Sequence, residues 1–311
     1  MSLHEDIDVY LTQRRARGFK LKTTEPLLRQ FCGWLQAHGK TEAFTIDDAV
    51  QWACDRPGAA PVWWSQRLTA VRPFAAWLNA RDGIVPVIPA VLLPARTTRR
   101  DPFIYSQSDL NHLLVACPLF FANVRVAATM GTLIGLIAAT GLRIGEAIGL
   151  TVADLDITGN VLTVHGSKTQ LDRLVPLDPS TTNALVEYLN LPQRMALQPS
   201  PTGPIFVNSR GRGITVGSIE QHFRALVDAL EMAPPGQRRP RLHDLRHTFA
   251  TGHMVAAYTR EDTDPARTLT LLATWLGHTA PHHTYWYLSA VPELLAAAAG
   301  RLEPASLEGQ S

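Results

Sequence analysis

Residues 160–177 read NVLTVHGSKTQLDRLVPL and carry the clearest strand signal in the chain. Asn160–His165 and Arg173–Leu177 are short runs of β-branched and apolar residues on either side of a polar turn, Gly166–Asp172. That pattern predicts a two-stranded antiparallel arm with Lys168 near its tip. Outward from the arm the spacing turns helical in both directions. Gln107–Cys117 and Val124–Thr140 precede it; Thr181–Leu191, Ile219–Leu230, His243–Ala257, Arg267–Leu276 and Pro292–Ala299 follow. Pro204–Asn208 (PIFVN) reads as one more short strand before a Gly-rich turn. The expectation is a mainly α fold with a small antiparallel β-sheet.

Further towards the N-terminus only helical spacing remains, in Leu3–Arg17, Thr24–Ala37, Thr45–Cys54 and Val62–Asn79. Arg81–Asp101 breaks the pattern with Pro86, Pro89 and Pro94, followed by Arg96, Arg99 and Arg100. Such a Pro-rich basic stretch is extended rather than helical. The expected organisation is a helical domain over 1–82, a linker over 83–103, a mixed domain over 104–301 and a polar tail over 302–311. A length of 311 residues fits about two domains at roughly 100–200 residues each.

Apolar residues make up 46% of the chain and charged residues 18%, which excludes a disordered or low-complexity protein. Twenty-nine basic against 27 acidic side chains leave +2, so any role on nucleic acid must rest on local clustering of cations. Cys32, Cys54 and Cys117 are far apart and form no CxxC, which argues against a disulfide framework and a thiolate zinc module. The start, MSLHEDIDVYLTQRR, lacks the apolar run of a signal peptide. Val126–Thr140 is interrupted by Thr129, Gly131, Thr132 and Gly135 and is too short for a membrane span. A soluble cytoplasmic protein with no membrane partner is expected.

Four islands in the second block hold chemistry-bearing residues. ATGLRIGEAIGL (139–150) places Arg143 at the start of a short helix after Gly141, with Glu146 three residues on. The hairpin carries Lys168. LHDLRHTFAT (242–251) puts His243 and Arg246 three apart on one helix face, with His247 one step round. LLATWLGHTAPHHTYWYL (271–288) contains His278, His282 and His283, then Tyr285 and Tyr287. Each island has an ordinary structural reading: a solvent-facing Arg or Glu, a surface Lys in a turn, a chance His/Arg pairing, aromatic packing. The three histidines also admit zinc, although no thiol accompanies them. As a set, two arginines offer forks for a phosphate, His and Lys can move protons, and Tyr can be a covalent nucleophile.

This set, in this order and spacing, resembles the tyrosine recombinase (phage integrase) family over residues 104–301. Ala139–Glu146 matches the family's ATGLRxxE segment. Lys168 stands five residues before Arg173, which begins an RxVPL strand. His243–Thr251 matches HxLRHTxAT, Leu276–His278 matches LGH, and Tyr287 follows His278 by nine residues. Tyr285 is two residues too early and reads as a packing residue. The hairpin GSKTQLDR is one residue longer than the common form, Tyr258–Pro265 looks like an insertion, and TYWYLSAVPELL resembles members from transposon-like elements.

The resemblance implies a SAM-like four-helix core-binding domain at the N-terminus, clamping duplex DNA together with a mixed α/β catalytic domain. It implies site-specific recombination with chemistry like that of type IB topoisomerases. Tyr287 attacks a phosphodiester, forming a 3′-phosphotyrosyl link. Arg143, Arg246 and His278 bind the phosphate oxygens, Lys168 protonates the leaving 5′-oxygen, and His243 assists the Tyr287 proton. Glu146 supports Arg143. Two exchanges pass through a Holliday junction, with no cofactor or metal. The expected partner is double-stranded DNA, held by a homotetramer on synapsed sites or by an assembly with related recombinases. Candidate phosphate contacts are Arg96, Arg99 and Arg100, then Arg238, Arg239 and Arg241, with Arg14, Arg15, Arg17, Lys20 and Lys22 in the first domain. Two other readings stand beside this one: a catalytically silent DNA-binding accessory protein, and a metal-dependent phosphohydrolase using His278, His282 and His283.

Overall fold

The structure is a computed structural model and describes residues 2–93, 101–166, 172–233, 238–260 and 262–277. Lys168, His278, Tyr285, Tyr287, His282, His283, Arg96, Arg99, Arg100, the Pro292–Ala299 segment and the 302–311 tail lie outside the described residues. The chain divides into two compact units, Met1–Arg100 and Asp101–Ser311.

The first unit contains α1 (Leu3–Ala16), α2 (Thr24–Ala37), α3 (Ile46–Cys54) and α4 (Pro61–Asp82). Capping boxes start two of them: Ser2 with Glu5 for α1, and Thr45 with Asp48 for α3. Pro61 opens α4, where its missing N–H costs nothing, and Gly83 closes it at φ +73°. The apolar faces meet in one core, with Leu11, Phe31, Leu35, Trp52, Leu68 and Phe74 buried at its centre. Val85 and Ile88, from the stretch expected to be linker, are buried in this same core. That portion packs back on the helices because its apolar side chains find a surface there.

The second unit opens with α5 (Gln107–Phe120) and α6 (Val124–Thr140). Helix α6 is almost wholly apolar because α5, α8 and α11 pack around it. Then follow α7 (Ile144–Gly149), β1 (Leu155–Asp156), β2 (Val161–Val164), β3 (Arg173–Pro176), α8 (Pro179–Leu189) and α9 (Pro192–Met195). The unit continues with α10 (Val216–Ala229), α11 (Asp244–Thr259) and α12 (Pro265–Leu276). The strands form an antiparallel sheet in the order β1-β2-β3, with Leu162 opposite Val175 and both buried. The short strand β1 was not legible from its two residues. Within the stretch 258–265, Tyr258 and Thr259 end α11, Asp264 is the N-cap of α12 and Pro265 its first residue.

Pro204–Asn208 is not a strand. It makes only isolated bridges, Thr151 with Pro204 and Val207 with Gly213. Arginine side chains occupy the carbonyls a ladder would use: Arg194 donates to Pro204 O and Ile205 O, and Arg125 to Val207 O. Among the described residues no helix is long and apolar enough to cross a membrane.

Candidate active site

The site grows from the end of α6. Gly141 closes that helix at φ +65°, and a Cβ there would stand 2.6 Å from the Phe249 ring and 2.9 Å from Leu276. Only glycine admits both the left-handed turn and the close approach of α11 and α12. Two residues on, Arg143 is the N-cap of α7. Glu146, in the first turn of α7, accepts the Arg143 backbone N–H at 3.1 Å and its guanidinium at 2.8 Å. Glu146 is no surface carboxylate: its side chain is 7% exposed.

A third group joins them. Arg173 begins β3 and shares the inward face with Val175, as the two-residue period of a strand requires. Its Nη2 donates to Glu146 Oε2 at 2.7 Å and its Nε to Trp275 O at 2.7 Å. Burial acts to raise the Glu146 pKa; the hydrogen bond and charge of Arg173, with the backbone and side-chain bonds from Arg143, outweigh it and hold the carboxyl below its ordinary range. Glu146 therefore stays ionised between two guanidiniums.

Arg246 lies on the first turns of α11 and is 1% exposed. It donates to Gly141 O at 2.7 Å and to Leu276 O at 2.8 Å. Arg143 also reaches Leu276 O, at 3.3 Å. Three arginines from β3, α11 and the start of α7 thus meet at the last carbonyls of α12, where the helix dipole favours cations. Gly277, at φ +64°, leaves room for the Arg173 guanidinium, 3.0 Å from where a Cβ would be. The Trp275 indole N–H donates to Thr140 O at 2.8 Å and ties α12 back to the end of α6.

His243 is the N-cap of α11, immediately ahead of the helix. Its side chain keeps a solvent-facing edge, yet the atoms packed round the ring lower its pKa. The charges of Arg246, Arg241 and Arg143 act in the same direction, against Asp244. His247 packs edge-to-face with it at 5.0 Å, and burial, reinforced by the neighbouring His243, brings its pKa down to about 4. Both rings are neutral at pH 7, so His243 can accept a proton. At the base of the hairpin His165 bridges Asp154 at 2.9 Å and Asp172 at 2.7 Å.

Arg143, Glu146, His243 and Arg246 come together. Arg173 and His247 belong to the same cluster and were not read as site residues. Arg173 had a signal, an arginine on the inward face of an otherwise apolar strand. The expected cationic cluster before α11 is differently occupied. Arg241 is paired with the fully buried Asp244, Arg239 with Asp228, and Arg238 donates to Asp101 O. In the first unit Arg15 pairs with Glu25, and Arg14 stacks on Phe19. Among the described residues no group of His, Cys, Asp and Glu is arranged to hold a metal ion.

Residues 106–293 match the sequence profile of the phage integrase family. A putative integrase/recombinase, y4rB, of Sinorhizobium fredii is 36% identical over 307 residues, covering 97% of this chain and 97% of that one. The tyrosine recombinase XerD of Bifidobacterium longum is 25% identical over 277 residues, covering 86% and 85%. Among solved structures, the integrase of transposon Tn1549 in complex with transposon right end DNA superposes with a TM-score of 0.66. It is 18% identical, covers 98% of this chain and 100% of that one, and shares the fold.

Proposed function

The chain belongs to the phage integrase family of tyrosine recombinases, and from that membership we propose that it breaks and rejoins duplex DNA at specific sites through Tyr287. The observation that carries this reading is the convergence of Arg143, Arg173 and Arg246 on the end of α12 with Glu146 as the carboxylate between two of them. Three fixed guanidiniums against one carboxylate leave a site of net positive charge, matched to a phosphodiester and to the extra charge of its transition state.

In this reading the Tyr287 hydroxyl attacks the scissile phosphorus and gives up its proton to the neutral His243. The bond to the 5′-oxygen breaks, and Lys168 protonates that oxygen. Arg143, Arg246 and His278 hold the non-bridging oxygens. The phosphodiester persists as a 3′-phosphotyrosine, and a 5′-hydroxyl from the partner strand then displaces the tyrosine. Two such exchanges pass through a Holliday junction. Four copies on two synapsed duplexes would carry them out, and the 104–301 segment would be the catalytic domain.

The test is recovery of the protein under denaturing conditions from cells carrying its own locus, with a search for covalently attached DNA. The adduct should form with the wild type and with Tyr285→Phe and disappear with Tyr287→Phe. An adduct lost with Tyr285→Phe alone would move the nucleophile. An adduct retained by both single variants would overturn tyrosine attack at either position.

A further inference from the structure

Beyond the last ladder pair, Val164 with Arg173, side chains close the foot of the β2–β3 arm. His165 Nδ1 lies 2.7 Å from Asp172 Oδ2, and its Nε2 lies 2.9 Å from Asp154 Oδ1. Asp172 Oδ1 also accepts the Gly166 N–H at 3.1 Å, so this carboxylate joins the two sides of the arm. Asp154, in the turn just before β1, is buried and fixed. Its Oδ2 accepts the Thr151 N–H at 2.7 Å and the Thr151 hydroxyl at 2.8 Å. The exposed His165 ring therefore links a buried, anchored carboxylate to an exposed one.

An ionised carboxylate only accepts hydrogen bonds, and a neutral imidazole has a single N–H. With a carboxylate oxygen at each ring nitrogen, both nitrogens carry a proton and the ring is an imidazolium. A neutral ring would set one nitrogen lone pair against a carboxylate and lose that bond. Among the described residues the charges acting on the ring are Asp172, just before β3, and Asp154. The hydrogen bond to Asp172, then that to Asp154, with the two negative charges, hold the His165 pKa above its ordinary value. Asp172 is lowered in turn by His165 and by the Gly166 N–H. His243 and His247, in the same unit, are displaced the opposite way.

We propose that His165 is a positioning residue: as an imidazolium it ties Asp172, at the foot of the arm, to Asp154 in the body of the unit, and so fixes where the segment carrying Lys168 begins and ends. Lys168 follows Gly166 by two residues and precedes Asp172 by four. Its role, protonation of the leaving 5′-oxygen, rests on the recombinase reading above. A short segment inherits the placement of its anchors, and a misplacement of about 1 Å can cost about a hundredfold in rate. The cation is the closed form of the clamp. The clamp therefore holds below the His165 pKa and is lost as pH rises through it.

The first measurement is nitrogen NMR of the histidine rings in the full chain without DNA. His165 should titrate above the ordinary value of about 6.5, with both ring nitrogens protonated below that transition. Asp172→Asn should move the transition down. The second is the rate of covalent adduct formation on a duplex carrying the sequence found in the wild-type adduct. His165→Gln should slow it about tenfold at about pH 6. With sulfur in place of the scissile 5′-oxygen, the leaving thiolate needs no proton, and His165→Gln should react at the wild-type rate. Lys168→Met is the reference, slow on the oxygen duplex and restored on the sulfur one. His165→Arg stays charged throughout. It should match the wild type at about pH 6 and exceed it about tenfold at about pH 9.

A normal wild-type adduct with His165→Gln equally fast on the oxygen duplex would overturn the clamp and leave the recombinase reading intact. Equal slowing on both duplexes would make His165 a support of the fold and not of Lys168. A ring that titrates at or below about 6.5 would remove the imidazolium. Lys168→Met staying slow on sulfur would remove the acid that the clamp is said to place. A wild type that forms no adduct would sink the recombinase reading and the role of His165 with it.

Discussion

Glu146 lies between two guanidiniums in a pocket that leaves its side chain 7% exposed, so its charge and theirs depend on one another. Glu146→Gln keeps the shape and removes the charge, leaving Arg173 buried beside an amide. That substitution should lower stability by about 3 kcal/mol, read by urea unfolding. Because the folded carboxyl titrates below the unfolded value of about 4.3, its contribution is complete above that pH and is lost as pH falls through the folded pKa. His247 works over a different window. With a folded pKa of about 4 against an unfolded value near 6.5, the unfolded chain binds the proton first. Stability should therefore fall as pH drops from about 6.5 to 4, by on the order of 3 kcal/mol, and level off below. His247→Phe should flatten that part of the stability–pH curve; an unchanged curve would show that the ring titrates freely.

The turn between α6 and α7 sets where the arginines meet. Gly141→Ala combines a left-handed backbone with a methyl group driven into Phe249 and Leu276, and should cost about 3 kcal/mol. Gly83→Ala, at φ +73° with open space around it, should cost only about 1 kcal/mol, for the backbone alone. Unfolding midpoints of the two variants separate the contributions. Strand β3 has a comparable role, since Arg173 links the hairpin arm to both Glu146 and Trp275. Arg173→Met should reduce the covalent DNA adduct at least tenfold while leaving overall duplex binding intact. Equal adduct yields would show that Arg173 merely joins β3 to α12. The failed strand at Pro204–Asn208 teaches the same lesson at this scale. Its apolar side chains do go inside, Ile205, Phe206 and Val207 all being buried, but burial does not specify who bonds the backbone. Arg194, eleven positions before Ile205 and itself 3% exposed, is the deciding group at Ile205 O.

Across the molecule the two units hold separate cores, one around Trp52 and Phe74, the other around α6. A chain ending after residue 93 should fold alone with a cooperative thermal transition and full helicity by circular dichroism. A broad, non-cooperative melt would show that the first core is incomplete without the rest. Helix positions were legible because apolar residues recur at helical period, and Arg143, Glu146, His243 and Arg246 because their local motifs are short and contiguous. The pairing of Glu146 with Arg173 links residues twenty-seven apart through space, and no local period reports it. Periodicity and contiguous motif are properties of the chain, set by side-chain chemistry and by the geometry of one element. Which charges are balanced, and which are left for a ligand, follows only when separate elements pack, because Coulomb energy and desolvation depend on distance and burial rather than on order along the backbone.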